Sequence, residues 1–176
     1  MLDLAQNSLS AGARHIRIEI CESLKEDVLR IRIADDGIGM DPDFLERVTD
    51  PFVTTRKTRP VGMGIPFIKM AAEMAEGTFD IRSRKGEGTE LRASFRLSHV
   101  DRMPLGDIAG TIATLIQGAP EVDYTYVRST DSGSFEFDTG RIREMLEGIS
   151  LREPEILDWI KDYIMQGETG VMAQNK

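Results

Sequence analysis

Apolar residues recur at Leu2, Leu4, Ala5 and Leu9, the spacing of an amphipathic helix that Ala11-Gly12-Ala13 ends. The period then changes. Arg14 to Cys21 and Asp27 to Ala34 alternate apolar and polar residues, predicting two strands joined as a hairpin by the polar stretch Glu22 to Glu26, with Ile16, Ile18 and Ile20 on one face. Asp41-Pro42 fits the start of a short helix reaching about Val48, and residues 50 to 64 read as a loop. Pro66 opens the next helix, whose Phe67, Met70, Ala71 and Met74 form an apolar stripe, with Met63, Met70 and Met74 read as core filling, before Gly77 stops it. Two further strands, Thr78 to Arg84 and Thr89 to Leu97, flank the turn Lys85 to Gly88.

Beyond Ser98 the pattern predicts a helix over Leu105 to Gln117, a hairpin over Val122 to Asp138, and helices near Arg141 to Glu147 and Glu153 to Met165. Gly167 to Lys176 reads as a loose tail. The expected fold class is α+β: residues 1 to 98 form a two-layer sandwich, a mixed sheet covered by helices on one face. Residues 99 to 176 form an acidic α/β extension or a small second module.

Composition fits a globular chain. With 40% hydrophobic and 30% charged residues, and no apolar run near the roughly 20 residues a spanning helix needs, neither disorder nor a membrane span is expected. No signal-peptide pattern opens the chain, so a cytoplasmic location is expected. The single cysteine, Cys21, reads as a buried strand thiol. The net charge of −8 is uneven: residues 1 to 98 carry −1 and residues 99 to 176 carry −7. An acidic module gains nothing from counterion release on a polyanion, which argues against nucleic acid or an anionic membrane as partner.

Four separated segments carry the candidate chemistry. Asp3 and Asn7 lie four apart on the first helix, hence on one face. Asp35-Asp36-Gly37-Ile38-Gly39 follows a strand directly; alone it is an ordinary turn signal. Arg56, Lys57 and Arg59 lie in a basic loop that Gly62-Met63-Gly64 closes, and two glycines just before a helix form a nest of N–H groups suited to phosphate. Gly86-Glu87-Gly88-Thr89 opens the last strand of the first part.

In this order and spacing the segments resemble the ATPase superfamily of gyrase, a heat-shock chaperone, histidine kinases and MutL. The first segment is closest to the mismatch-repair version of the asparagine box. The resemblance implies ATP and Mg²⁺ as ligands. It implies that Asn7 ligates the metal and that Asp35 accepts from the adenine amino group beside Gly37 and Gly39. It further implies that Lys57, Gly62 and Gly64 serve the phosphates, and that Thr89 lies near the adenine edge. Asp36 is then a bystander. Mg²⁺ takes hard oxygen ligands, and an amide carbonyl supplies one without adding repulsion beside a triphosphate.

Asp3 falls where the family keeps the acid that prepares water, and is the candidate general base. It reaches one methylene less far than the glutamate of the mismatch-repair and gyrase branches. The expected outcome of binding is therefore a switch, or phosphorylation of a separate protein in trans. The alternatives are a slow ATPase resembling MutL and a regulatory protein with a vestigial pocket. The expected partners are ATP and a protein, with homodimerisation left open. Family members ordinarily carry structure ahead of this helix, and a histidine kinase needs a phosphoacceptor helix there, so the chain is not expected to be a complete sensor kinase. His99-Val-Asp-Arg102-Met-Pro104 faintly echoes a phosphoacceptor box but reads as a strand-to-helix link; His15 reads as a surface or edge residue.

Overall fold

In a computed structural model of the chain, residues 1–50 and 63–175 are described. Lys57 and Gly62, expected at the phosphates, lie outside the described residues, as do Arg56 and Arg59. The elements run α1 (Leu2–Ser10), β1 (His15–Ser23), β2 (Val28–Asp35), α2 (Pro42–Leu45), α3 (Gly64–Met74), β3 (Phe79–Arg84), β4 (Gly88–Arg96), α4 (Ile108–Gly118), β5 (Asp123–Thr130), β6 (Ser134–Asp138), α5 (Thr139–Met145) and α6 (Pro154–Ala173). The strands form one six-stranded mixed sheet in the order β3-β4-β2-β1-β5-β6. All neighbours are antiparallel except β1 and β5, which pair in parallel from His15 opposite Asp123 to Glu22 opposite Thr130.

Strict alternation makes this sheet two-sided. Ile16, Ile18 and Ile20 of β1, Leu29, Ile31 and Ile33 of β2, and Leu91, Ala93 and Phe95 of β4 are buried beneath the helices. The other face is an ion-pair lattice in which Arg32 bridges Glu19 and Glu90, Arg17 bridges Glu19 and Glu136, and Arg92 joins Glu90. Cys21, read from the sequence as buried, is instead half-buried on this polar face. Helices α1, α4 and α6 contribute Leu4, Ala5, Ile112, Ile116, Ile160 and Ile164 to the core. The α+β sandwich expected for residues 1 to 98 is thus present, and its sheet continues without a break into the acidic part through the β1–β5 ladder.

Two further local readings change. The apolar stripe of α3 is turned outward: Phe67, Met70 and Met74 are 50%, 49% and 55% exposed, while Ile65, Pro66 and Ala72 make the buried face. The expected tail is helical as far as Ala173, because α6 runs on to that residue. Packing overrides the glycines there. A Cβ at Gly167 would lie 2.6 Å from Cγ of Phe135, and nearer still to other ring atoms, so the glycine lets α6 lie close on β6. Tyr126 donates to Glu168 beneath the next turn, and Val171 is buried.

Candidate functional site

The loops after β2 and between β3 and β4, together with α1, enclose a cavity of about 1020 Å³. Asn7, Asp35, Gly39 and Thr89 line it, with Ile33, Leu91 and Ile81 of the sheet as an apolar floor and Met40, Phe44 and Val48 as a wall. A mostly apolar cleft with a few placed polar groups is the usual form of a small-molecule site. Asp35 is the last residue of β2, paired in register with Thr89 of β4, so the sheet itself sets their spacing.

The Asp35 carboxylate is held from two sides. Ser8 Oγ donates to Oδ2 at 2.6 Å, and the Gly37 N–H donates to Oδ1 at 3.0 Å. Ser8, only 4% exposed, was not singled out from the sequence. A signal existed, since Ser8 stands four residues after Leu4 on the buried stripe of α1, where a polar side chain needs a partner. Gly37 lies against α1: a Cβ there would be 2.9 Å from both the Cβ and the carbonyl oxygen of Ala11, and Ile38 N donates to that carbonyl at 2.9 Å.

Gly39 has φ +64° and faces the β3–β4 turn, where a Cβ would lie 2.7 Å from the Arg84 carbonyl carbon. Only glycine allows this approach. Across from it, Ser83 Oγ donates to Gly88 O at 2.9 Å, receives the Met40 N–H at 2.9 Å and shares a hydrogen bond with Thr89 Oγ1 at 2.8 Å. Thr89 therefore reaches the cavity as part of a hydroxyl pair that ties the two glycine loops together.

Gly64 is the first residue of α3 and packs on α1, with its Cβ position 3.2 Å from Asp3 Cβ and 3.3 Å from Leu4 Cδ2. Asp3 is exposed beside this helix start and is not among the residues lining the cavity. Asn7, one turn further along α1, lines it. Among the described residues no group of three or more His, Cys, Asp or Glu side chains is arranged to hold a metal. A single amide oxygen fits Mg²⁺ all the same, because that ion usually keeps several waters and takes its remaining ligands from substrate phosphates.

Asp36 has a structural task. Its Oδ1 accepts the N–H groups of Arg14 at 2.7 Å and His15 at 2.8 Å. Partial burial alone would raise this carboxyl, but the His15 and Arg14 N–H groups outweigh it and hold the group below the ordinary carboxylate range. His99 lies in the turn after β4, among Arg96, Glu76 and Asp101, and belongs to no helix. His15 meets Thr125.

This cavity, two glycine loops and a helix bearing an asparagine on the covered face of a mixed sheet, has the form of a small-molecule site on an α+β sandwich. The chain belongs to the histidine kinase-, DNA gyrase B- and HSP90-like ATPase family, whose model matches residues 1–99. It is 37% identical over 89 residues to the sensor protein kinase FleS of Pseudomonas aeruginosa, covering 51% of this chain and 22% of that one. It is 35% identical over 94 residues to the autoinducer 2 sensor kinase/phosphatase LuxQ of Vibrio parahaemolyticus, covering 51% and 11%. The chain thus spans a small part of the length of these relatives. Among solved structures, the Aquifex aeolicus MutL ATPase domain complexed with ADP superposes with a TM-score of 0.52 at 17% identity, covering 83% of this chain and 66% of that one. That likeness is one of fold. Among the described residues no helix is long and apolar enough to cross a membrane.

Proposed function

We propose that the chain binds ATP with Mg²⁺ in this cavity and uses the bound nucleotide as a switch, or as phosphoryl donor to a separate protein. One observation carries the reading: the Asp35 carboxylate is fixed at the cavity wall by Ser8 and Gly37, one residue along α1 from Asn7. A carboxylate held by two donors presents its remaining lone pairs in a fixed direction, which suits an exocyclic amine such as that of adenine. Gly39 lets the loop lie close to a flat base, and Thr89 offers a hydroxyl beside it.

Asn7 would hold the metal through its amide oxygen, and Mg²⁺ when bound would neutralise phosphate charge. Gly64 opens α3 beside Asp3, where the start of the helix offers N–H groups to phosphate oxygens. Lys57 and Gly62 complete the proposed phosphate side. Asp3 is the candidate base for water; its place outside the cavity lining favours switching or transfer over hydrolysis by this chain alone. The protein's share of phosphoryl transfer is mainly positioning and charge neutralisation, so the acceptor need not lie on the same chain. A cytoplasmic setting, a protein partner and pairing of two copies accord with this reading.

Calorimetry tests it. ATP should bind in a magnesium-dependent manner, and Asn7→Ala should weaken binding in Mg²⁺ far more than in EDTA. Equal affinity with and without Mg²⁺, or an Asn7→Ala protein that binds like the parent, would remove the pocket assignment. Transfer of label from γ-phosphate to an added protein would separate the donor role from a switch, and steady phosphate release abolished by Asp3→Asn would establish an ATPase instead.

A further inference from the structure

Asp35 and Asp36 are neighbours with opposite outlooks. Asp35 turns to the cavity, while Asp36 turns to the first residues of β1. The β1–β2 ladder ends at Ile16 opposite Asp35. Beyond it the Asp36 side chain continues the pairing by taking the N–H groups of Arg14 and His15, and its own N–H faces the His15 carbonyl at 3.4 Å. The peptide that carries Asp35 is therefore pinned immediately after the carboxylate that the site depends on.

The start of β1 is in turn held from its other side by residues beyond Ser98. Asp123 N donates to Arg14 O at 2.8 Å, and His15 Nε2 lies 2.9 Å from Thr125 Oγ1. Thr125, 3% exposed, donates its only hydroxyl proton to Asp138 Oδ2 at 3.0 Å. An ionised carboxylate cannot donate in return, so the Thr125 oxygen must accept from His15, which places the proton of neutral His15 on Nε2. Asp138 is anchored as the N-cap of α5, accepting from Arg141 N at 3.1 Å. Each link has one direction, and the series runs from α5 through Asp138, Thr125 and His15 to Asp36.

We infer that Asp36, backed by His15, Thr125 and Asp138, is a positioning assembly that aims Asp35 at the nucleotide base, so that the acidic part beyond Ser98 sets base selectivity. This rests on the proposal that Asp35 reads the adenine amino group. The assembly touches no ligand; it fixes the backbone turn from which the reading carboxylate projects.

The test compares ATP with inosine triphosphate, which has a carbonyl where adenine has the amine, by calorimetry in Mg²⁺. Losing two hydrogen bonds to Asp36 in Asp36→Ala should weaken ATP roughly tenfold and leave inosine triphosphate nearly unchanged. Asp36→Asn, which keeps an accepting oxygen, should restore the preference. Thr125→Val should lower the ATP preference in the same sense by a few-fold, and Thr125→Ser should restore it. Asp35→Ala is the reference. If it collapses the ATP preference while Asp36→Ala and Thr125→Val keep it, or weaken both nucleotides equally, the positioning role is wrong although the pocket reading stands. If Asp35→Ala itself leaves the preference intact, the pocket reading fails, and the inference with it. Should Asp36→Ala not fold by thermal melting, the Thr125→Val and Thr125→Ser pair decides.

Discussion

Two glycines two residues apart, Gly86 in the β3–β4 turn and Gly88 opening β4, allow the packing around the site to be measured against backbone conformation alone. Gly86 and Gly88 have φ +83° and +94°, both in the region L-residues avoid. A Cβ at Gly86 meets nothing within 4 Å, whereas one at Gly88 lies 2.8 Å from the Asp35 carbonyl carbon and 3.0 Å from Asp36 Cα. Alanine at Gly86 should therefore cost only the conformational penalty, about 1 kcal/mol. Alanine at Gly88 adds the displacement of rigid backbone, about 2 kcal/mol more, for a total of roughly 3 kcal/mol. At about 3 °C per kcal/mol for a chain of this size, Gly86→Ala should melt about 3 °C and Gly88→Ala about 9 °C below the parent. Thermal unfolding followed by far-UV circular dichroism reads the difference. Because the displaced group is the backbone of Asp35, Gly88→Ala should also weaken ATP binding. Equal melting losses at the two positions, or an unaltered ATP affinity in Gly88→Ala, would refute the claim that this turn is wedged against the Asp35 peptide.

Acid should loosen the outer face of the sheet. Burial alone would raise the Glu19 and Glu90 carboxyls, but Arg17 and Arg32 beside Glu19, and Arg32 and Arg92 beside Glu90, outweigh it and hold both below the ordinary value. A folded pKa below the unfolded one gives stability that is present above about pH 4 and lost as pH falls through the folded values, so the urea midpoint should drop on titration from pH 5 to pH 3. Arg32→Met should flatten that drop, and an identical acid profile in parent and variant would count against the lattice. At the far end of the chain, Gly167→Val would drive a branched side chain into the Phe135 ring; α6 should detach from β6, with fast protease cleavage inside 166–173, and a parent-like digestion pattern would show that the close approach is unimportant.

The legibility of the fold followed the range of the signal. Strands β1, β2, β3 and β4 were readable because alternation is local and each has one antiparallel neighbour close in sequence, β1 with β2 and β3 with β4. The β1–β5 ladder was not readable. A parallel pair leaves no turn signature, and its partners lie more than a hundred residues apart, so the hairpin of residues 122 to 138 gave no sign of the strand it joins. Helix α3 misled for another reason. Its Phe67, Met70 and Met74 point to solvent, while the face that packs carries Ile65, Pro66 and Ala72 behind the glycine start at Gly64, which lies close on Asp3 and Leu4 of α1.

The same distinction explains what the acidic part contributes. Read as charge, its −7 suggests a free anionic surface. Read as bonding, much of it is committed: Asp107 and Asp138 cap α4 and α5, Asp131 accepts from Ser23 and the Lys25 N–H in the β1–β2 turn, Asp123 pairs with Arg143, and Glu168 meets Tyr126. Two of these contacts cross into residues 1 to 98, as do Thr125 to His15 and Arg128 to Glu22 at 2.8 Å. Arg128 follows Tyr124 and Tyr126 on the helix-covered face of β5, and a charge so deeply placed is tolerable only with a carboxylate beside it. Truncation after Ser98 would therefore strip the half-buried Glu22 of its counter-charge and β1 of a whole ladder, so residues 1 to 98 are not expected to retain the parent's stability. The family match covers residues 1–99, but β1, on which the Asp35 turn is pinned through Arg14 and His15, is braced by a strand beyond them.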